Sequence, residues 1–429
     1  MPTPEDKARE NIDRLLAQAG WAVRDQSDAN ILAYRGLAIR NFSLKSGHGF
    51  ADYLLYVDGR AAGVIEAKKE GVTLTGVETQ SDRYTKGLPD GLPAWQKPLP
   101  FSYESTGVET RFTNGLDPIP RSRSVFSFHK PETFAEWLES LSAEARSRTF
   151  LARMQHMPPL VEAGLWPAQI KAVKNLERSL AVNRPRSLIQ MATGSGKTFT
   201  AITFIYRLIK FAGAKRVLFL VDRGNLGRQT LKEFQQYVSP YNNFKFSEEY
   251  IVQRLTSKTL DTTARVCIST IQRLYSMLKG QDLAEEDEEQ SIEGLERVFK
   301  EVPPIEYNPA IPIETFDIIV TDECHRSIYH LWRQVLEYFD AYIIGLTATP
   351  NKQTFGFFDQ NLVMRWEMLD EDLAYGSEQL DREVVAKDQI RTVIQAYRDK
   401  LFTEIFPGRK EVPKTLVFAK DDSHAEDIV

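Results

Sequence analysis

The stretch Met191-Ala-Thr-Gly-Ser-Gly-Lys-Thr198 decides how this chain is read. It follows an apolar run at 187–191 and opens a segment, 197–211, with helical periodicity. A strand, a glycine-bearing turn and a helix in that order form a phosphate loop. Gly194 and Gly196 let backbone N–H groups turn inward, with Thr193 and Ser195 in the same loop. The helix N-terminus adds positive potential. Lys197 is expected to reach the β- and γ-phosphates of a nucleotide, and Thr198 to hold Mg²⁺. The strict pattern has Gly where Met191 stands. The plainer alternative, a Gly/Ser turn capping a buried helix, fits less well because Gly-Lys-Thr lies between a clear strand and a clear helix.

Around this loop, strands and helices alternate from Trp166 onward. Apolar, β-branched runs at 187–191, 216–221, 265–269, 316–320 and 341–346 are separated by helical patterns, including 169–180 and 225–237. That alternation predicts a parallel α/β sheet. Asp322-Glu-Cys-His325 comes directly after the 316–320 run. The C-terminal ends of parallel strands face the ligand. Asp322 is placed there to hold Mg²⁺ through water, and Glu323 to polarise an attacking water. Asp322 would also serve as a simple helix N-cap.

The N-terminal third has a different texture. Residues 5–19 read as an amphipathic helix with Ile12, Leu15, Leu16 and Ala19 on one face. Residues 31–128 are β-rich, with short alternating segments and turn signals. Residues 131–164 read as a helical connector. Within the β-rich part, Asp52, Glu66 and Lys68 supply two carboxylates and a lysine, the set a nuclease uses to hold Mg²⁺ and position water. Glu66 and Lys68 share a strand face. Asp58-Gly59 is a hairpin signal. A strict two-residue loop pairs Val57 with Arg60 and puts Asp52 and Glu66 on opposite faces. A three-residue loop with left-handed Gly59 pairs Tyr56 with Arg60 and makes Glu66 the diagonal neighbour of Asp52. A nuclease therefore needs the three-residue loop or an equivalent bulge; a solvent-facing hairpin with ordinary surface charges needs neither. Gln80 and Tyr84 are four apart on an expected helix and share its face.

Composition sets the outer limits. The chain has 429 residues, 42% of them hydrophobic and 26% charged, the profile of a soluble globular protein with two to four domains. No apolar stretch approaches the roughly 20 residues of a membrane span, and the polar N-terminus has no signal-peptide core. Cys267 and Cys324 are too few for a disulfide scaffold or a multi-cysteine zinc site, which points to a reducing, cytoplasmic setting. Net charge is −5, but 281–301 alone carries nine carboxylates against Arg297 and Lys300. The remainder is close to +2, so charge neither supports nor excludes DNA. The acidic segment reads as an exposed loop or surface helix in which little of 282–290 can be buried, off any DNA path.

Met191–Thr198, Asp322–His325 and Thr347-Ala-Thr349 resemble motifs I, II and III of superfamily-2 helicases and translocases. That resemblance implies a RecA-like lobe. It also implies that Gln169 reads adenine, that His325 belongs to the nucleotide site, and that Thr347 and Thr349 couple nucleotide state to DNA contacts. Leu220-Val-Asp-Arg223 and Ser269-Thr-Ile-Gln272 resemble motifs that touch the DNA backbone. Asp52, Glu66 and Lys68, with Gln80 and Tyr84 behind them, resemble the PD-(D/E)xK nuclease core and the Gln-x3-Tyr motif of one of its branches. A nuclease core followed by a superfamily-2 motor resembles the restriction (R) subunit of type I restriction–modification enzymes. Val108-Glu-Thr-Arg-Phe-Thr-Asn-Gly115, Thr354-Phe-Gly-Phe-Phe358 with Asn361, Leu380-Asp-Arg-Glu383, Phe406-Pro-Gly-Arg409 and 418–427 also match that family.

The resemblance implies an α/β chain in three parts: a PD-(D/E)xK endonuclease-like domain over 1–145, a first RecA-like lobe over 146–355, and a linker with the start of a second lobe over 356–429. It implies ATP and Mg²⁺ as cofactors, double-stranded DNA as substrate, methylase (M) and specificity (S) subunits as partners, and no membrane. The family usually has a longer stretch near 362–367 and continues into motifs V and VI, an arginine finger and a C-terminal helical domain, so the chain reads as an N-terminal fragment. Two rival readings remain. One is a stand-alone DNA-repair helicase with a degenerate, binding-only nuclease-like domain. The other is a nucleotide-sensing DNA-binding adaptor, against which Lys197, Asp322 and Glu323 argue.

Overall fold

A computed structural model describes residues 3–74, 83–283, 288, 304–327, 330–366, 397–398 and 400–401. Two seven-stranded sheets organise the first 367 residues, which form one compact unit. The first sheet runs in sequence order: β1 (Ala22–Asp25), β2 (Gly36–Ser43), β3 (Phe50–Val57), β4 (Arg60–Ala67), β5 (Phe101–Ser105), β6 (Thr110–Asn114) and β7 (Arg123–Val125). It is mixed: β1 with β2 and β4 with β5 are parallel, the other pairs antiparallel. Helix α1 (Pro4–Gln18) begins with a capping box at Thr3 and Asp6. Its buried Ile12 and Leu16 join Tyr53, Leu55, Ile65, Phe101 and Tyr103 in the core.

The second sheet is wholly parallel, as the alternation requires. It contains β8 (Arg186–Met191), β9 (Val217–Val221), β10 (Val252–Arg254), β11 (Val266–Thr270), β12 (Ile318–Thr321), β13 (Tyr342–Thr347) and β14 (Leu362–Trp366), in the spatial order β10-β11-β9-β12-β13-β8-β14. Five of its strands, β8, β9, β11, β12 and β13, show the near-continuous burial of strands covered on both faces. Helix α2 (Pro167–Ala181) leads into β8, α3 (Lys197–Lys210) connects β8 to β9, and α4 (Gly224–Gln236) follows β9.

Two expectations are corrected. The boundary expected at 355/356 falls inside this sheet, because β14 pairs with β8 and adds an edge strand. The residues from 356 therefore include a strand of the parallel sheet, Leu362–Trp366, and are not simply a linker. The acidic segment is not wholly exposed: Glu288 is only 2% exposed and forms an ion pair with Arg273, itself buried, while Arg254 lies 3.4 Å away. A buried cation on the sheet side captures one carboxylate of a run whose composition signals only solvation. Within 281–301 only 281–283 and 288 are described, and the family matches at 380–383, 406–409 and 418–427 lie outside the described residues.

The two sheets meet through buried polar contacts. Arg123 of β7 forms a two-pronged ion pair with Asp340, its Nε and Nη2 lying 2.6 and 2.7 Å from the carboxylate oxygens. His129 Nε2 lies 2.8 Å from the same carboxylate, and His129 Nδ1 lies 2.6 Å from the Tyr103 hydroxyl. Arg123 and His129 hold the Asp340 carboxyl far below the usual range although burial opposes them. Glu314 accepts from the Lys130 backbone N–H and the Thr133 hydroxyl, both at 2.8 Å.

Candidate active sites in the two sheets

The carboxylate hairpin forms by a route different from the three-residue turn. Val57 pairs with Arg60 across a two-residue loop in which Asp58 and Gly59 both have left-handed backbones, with φ of 45° and 74°. Those angles suit a tight hairpin and favour glycine at the second position. By itself this register would set Asp52 and Glu66 on opposite faces. The ladder then shifts: Tyr56 pairs with Ala61 but Leu55 with Gly63, so Ala62 is an extra residue in β4. Beyond the bulge Tyr53 pairs with Ile65, and one step further Asp52 stands across from Glu66. The equivalent bulge, not the longer loop, brings the two carboxylates together.

Their surroundings are asymmetric. Asp52 is part-buried; its Oδ2 accepts from the Ala67 backbone N–H at 2.8 Å, and its Oδ1 accepts from Arg9 of α1 at 2.6 Å. Glu66 is 4% exposed; its Oε1 accepts from Lys68 Nζ at 2.5 Å, while Oε2 is buried with no hydrogen-bond donor among the described residues. Burial raises the Glu66 carboxyl, the Lys68 hydrogen bond opposes that rise, and the Asp52 charge adds to it. Tyr84 belongs to the same neighbourhood: burial, then the Glu66 and Asp52 carboxylates, raise its phenol. Gln80 lies outside the described residues. A buried carboxylate oxygen without a donor, beside a second carboxylate and a lysine, is a donor set that suits a hard divalent cation.

Two residues near this site had no place in the sequence reading. Arg9 sits on the polar side of α1, where an arginine looks like ordinary surface charge. Glu104 is fully buried in β5 and in register with Glu66 across the parallel β4–β5 pair. A charged residue inside the run Phe101-Ser-Tyr-Glu-Ser105 was the available signal for it.

In the parallel sheet, β12, β13 and β8 are adjacent, so Asp322, Thr347 and the phosphate loop emerge side by side at the strand C-termini. Gly196 caps α3 with φ 79°, and a Cβ there would lie 2.4 Å from Gln169 Nε2. Only glycine tolerates that approach in that conformation. Lys197 Nζ lies 3.4 Å from Glu323 Oε1, with the lysine side chain 10% exposed. Burial first, and the Glu323 charge second, push the Asp322 carboxyl up to about 6 against the pull of Lys197. Glu323 has a left-handed backbone, φ 47°, and its N–H donates to Asp322 Oδ1 at 3.0 Å. His325 Nδ1 lies 3.0 Å from Thr347 Oγ1, which also accepts from the Thr349 N–H at 3.2 Å. Gln169 is buried against the loop: its Oε1 accepts from the Trp166 N–H and its Nε2 donates to Ser195 O. Thr193 and Thr349 are exposed and Thr198 is half-buried.

Residues 162–352 match the family described as type III restriction enzyme, res subunit, and residues 11–103 match the family described as type I restriction enzyme EcoKI endonuclease subunit second domain. The EcoAI type I endonuclease subunit of Escherichia coli is 31% identical over 429 residues, covering 86% of this chain and 47% of the relative. The EcoKI endonuclease subunit of Escherichia coli K12 is 27% identical over 427 residues, covering 83% and 33%. The chain is homologous to the endonuclease subunits of type I restriction enzymes.

The chain spans between a third and a half of the length of those curated relatives. A solved fragment from Vibrio vulnificus YJ016, described as an HsdR subunit, aligns over 100% of this chain and 73% of its own, with 20% identity and a TM-score of 0.35. Among the described residues no helix is long and apolar enough to cross a membrane.

Proposed function

We propose that this chain carries the nuclease and first motor lobe of a type I restriction endonuclease subunit, which couples ATP hydrolysis to movement along double-stranded DNA and cuts it with Mg²⁺. Residues 1–145 serve as the PD-(D/E)xK nuclease domain, and the parallel sheet, through β14, as the RecA-like lobe. The whole subunit works with methylase and specificity partners in the cytoplasm.

The observation that carries this reading is the Ala62 bulge. It sets Asp52 across from Glu66, with Lys68 on the Glu66 carboxylate. A degenerate binding module has no need of a bulge that pairs two carboxylates in a half-buried site. Asp52 and Glu66 hold the divalent ion, which when bound supplies positive charge to the scissile phosphodiester. Lys68 positions or activates the attacking water, and Tyr84, with Gln80, orients the site.

In the motor lobe, Thr193, Gly194, Ser195 and Gly196 wrap the phosphates and Lys197 meets their terminal charge. Thr198 and Asp322 hold the Mg²⁺ that accompanies ATP. Glu323 polarises water, and Gln169 reads the base from a position already fixed against Ser195. His325 and Thr347 join motif II to β13, so a change at the nucleotide is felt at Thr349. The test is made in the complete subunit with its partners: Asp52→Ala and Lys68→Ala should abolish DNA cleavage while DNA-stimulated ATP hydrolysis continues. Retained cleavage would refute the nuclease assignment.

A further inference from the structure

A cavity of about 1070 Å³ lies between the two sheets. It opens at the start of β8 and β13, where Arg186 and Tyr342 line it, and so at the edge of the parallel sheet opposite the phosphate loop. Several of its cations already have counter-charges. Arg123 is held by Asp340, Arg186 by Glu337 at 2.9 Å, and Lys215 by Glu136.

Arg333 is also held by Glu337, and Arg111 donates to Ser122, which leaves Arg121, Arg148 and Arg153. Arg148 donates to Ala143 O, and Arg153 to Ala212 O and Ser147 O, so both meet only backbone carbonyls. None of the three has a carboxylate within ion-pair distance among the described residues. Arg121 is the most exposed to this imbalance: its Nε is buried with no hydrogen-bond partner. Burial, then the neighbouring Arg123 charge, lower its pKa, while Asp340 and Asp117 act only from a distance. A part-buried guanidinium beside another cation destabilises the fold unless something neutralises it. Guanidinium forks match phosphate oxygens, and the cavity has the size of a nucleotide site.

We propose that this inter-sheet cavity binds a phosphate-bearing anion through Arg121, Arg148 and Arg153, at a second site distinct from the phosphate loop. The phosphates come either from a free nucleotide or polyphosphate, or from a DNA strand entering between the sheets. A ligand seated there touches the connection into β7 and the starts of β8 and β13 together, and so bridges the two sheets.

The test is calorimetric titration with tripolyphosphate, without divalent metal, of the chain carrying Lys197→Ala to silence the phosphate loop. Saturable binding is expected, weakened at least tenfold by adding Arg121→Met and also weakened by Arg148→Met. The thermal midpoint of Arg121→Met should be unchanged or higher, since an uncompensated cation is removed. A single-stranded oligonucleotide then competes with bound tripolyphosphate. Displacement assigns the phosphates to DNA; retained tripolyphosphate assigns them to a small ligand. Absence of saturable binding, or full affinity in both arginine variants, overturns the proposal.

Discussion

Arg9 Nη2 lies 2.6 Å from Asp52 Oδ1, so a helix arginine occupies the carboxylate oxygen that a divalent cation would need. The arginine side chain is 42% exposed, and such pairs are worth about 0.2–1 kcal/mol. Arg9→Ala should therefore tighten Mg²⁺ or Ca²⁺ binding by about 1.4- to fivefold, the same free energy expressed as a ratio. Calorimetric titration of the two proteins decides it. Weaker binding in the variant would show that Arg9 supports the metal site instead of competing for it.

The raised Glu66 carboxyl gives that binding a pH dependence. A carboxyl with a raised pKa stays protonated further into the weakly acidic range, and a cation must displace its proton. Divalent affinity should then increase as pH rises above the ordinary carboxylate value, and Glu66→Gln should flatten the profile as well as weaken binding. Titrations across weakly acidic to neutral pH test this; a profile that does not change with pH would exclude Glu66 as a ligand.

The Asp340 contact makes a prediction about stability. Its carboxyl is depressed by Arg123 and His129, so its contribution is full above the ordinary aspartate value and is lost as pH falls towards the lower folded value. Asp340→Ala leaves part-buried Arg123 without its ion-pair partner and should cost up to about 3 kcal/mol near neutral pH. The difference from the parent should shrink in acid. Denaturant unfolding at several pH values measures both.

Five strands of the parallel sheet were legible as short apolar runs alternating with helical patterns, and the phosphate loop and Asp322–His325 mark two strand ends by composition alone; the edge strands β10 and β14 were not, because neither is set off by such a run and helix. The first sheet was legible as β-rich, and the three members Asp52, Glu66 and Lys68 were legible as a set. Their register was not. A bulge at Ala62 has no side-chain signature, since alanine fits a regular strand equally well, and it is the ladder as a whole that shows it. Arg273 with Glu288 was hidden for another reason. A run of acidic residues reads as solvated unless the buried arginine that takes one of them is known. The polar contacts between the sheets join residues about 180–220 positions apart, beyond any local pattern.

In the parallel sheet, Lys197 Nζ stands 3.4 Å from Glu323 Oε1, beside the loop where nucleotide phosphates are proposed to sit. Lys197→Ala removes a charge directed at ligand, not at the core, so the thermal midpoint should change little while ATP binding falls by at least tenfold. Binding of a fluorescent ATP analogue, with a melting curve as the folding control, tests it. Unchanged affinity would refute the phosphate-loop assignment.

Two changes of length in β4 are the sharpest test of the carboxylate site. Deleting Ala62 removes the extra residue, and a regular ladder from Val57–Arg60 then runs through Leu55–Gly63 and Tyr53–Ile65, the pairs already present, so Asp52 stays across from Glu66 and divalent binding should persist. Inserting one alanine between Gly63 and Val64 shifts every later pair by one, which moves Glu66 and Lys68 to the face opposite Asp52 with no change in the charge of the chain. Divalent binding at this site should then be lost. ATP binding at the phosphate loop reports whether the parallel sheet still folds, since the changed hairpin belongs to the other sheet. Loss of metal binding in the insertion, with ATP binding retained in both, is the expected outcome. If the insertion binds metal as the parent does, the register of β3 and β4 is not what brings Asp52 and Glu66 together, and the hairpin argument for the nuclease falls with it.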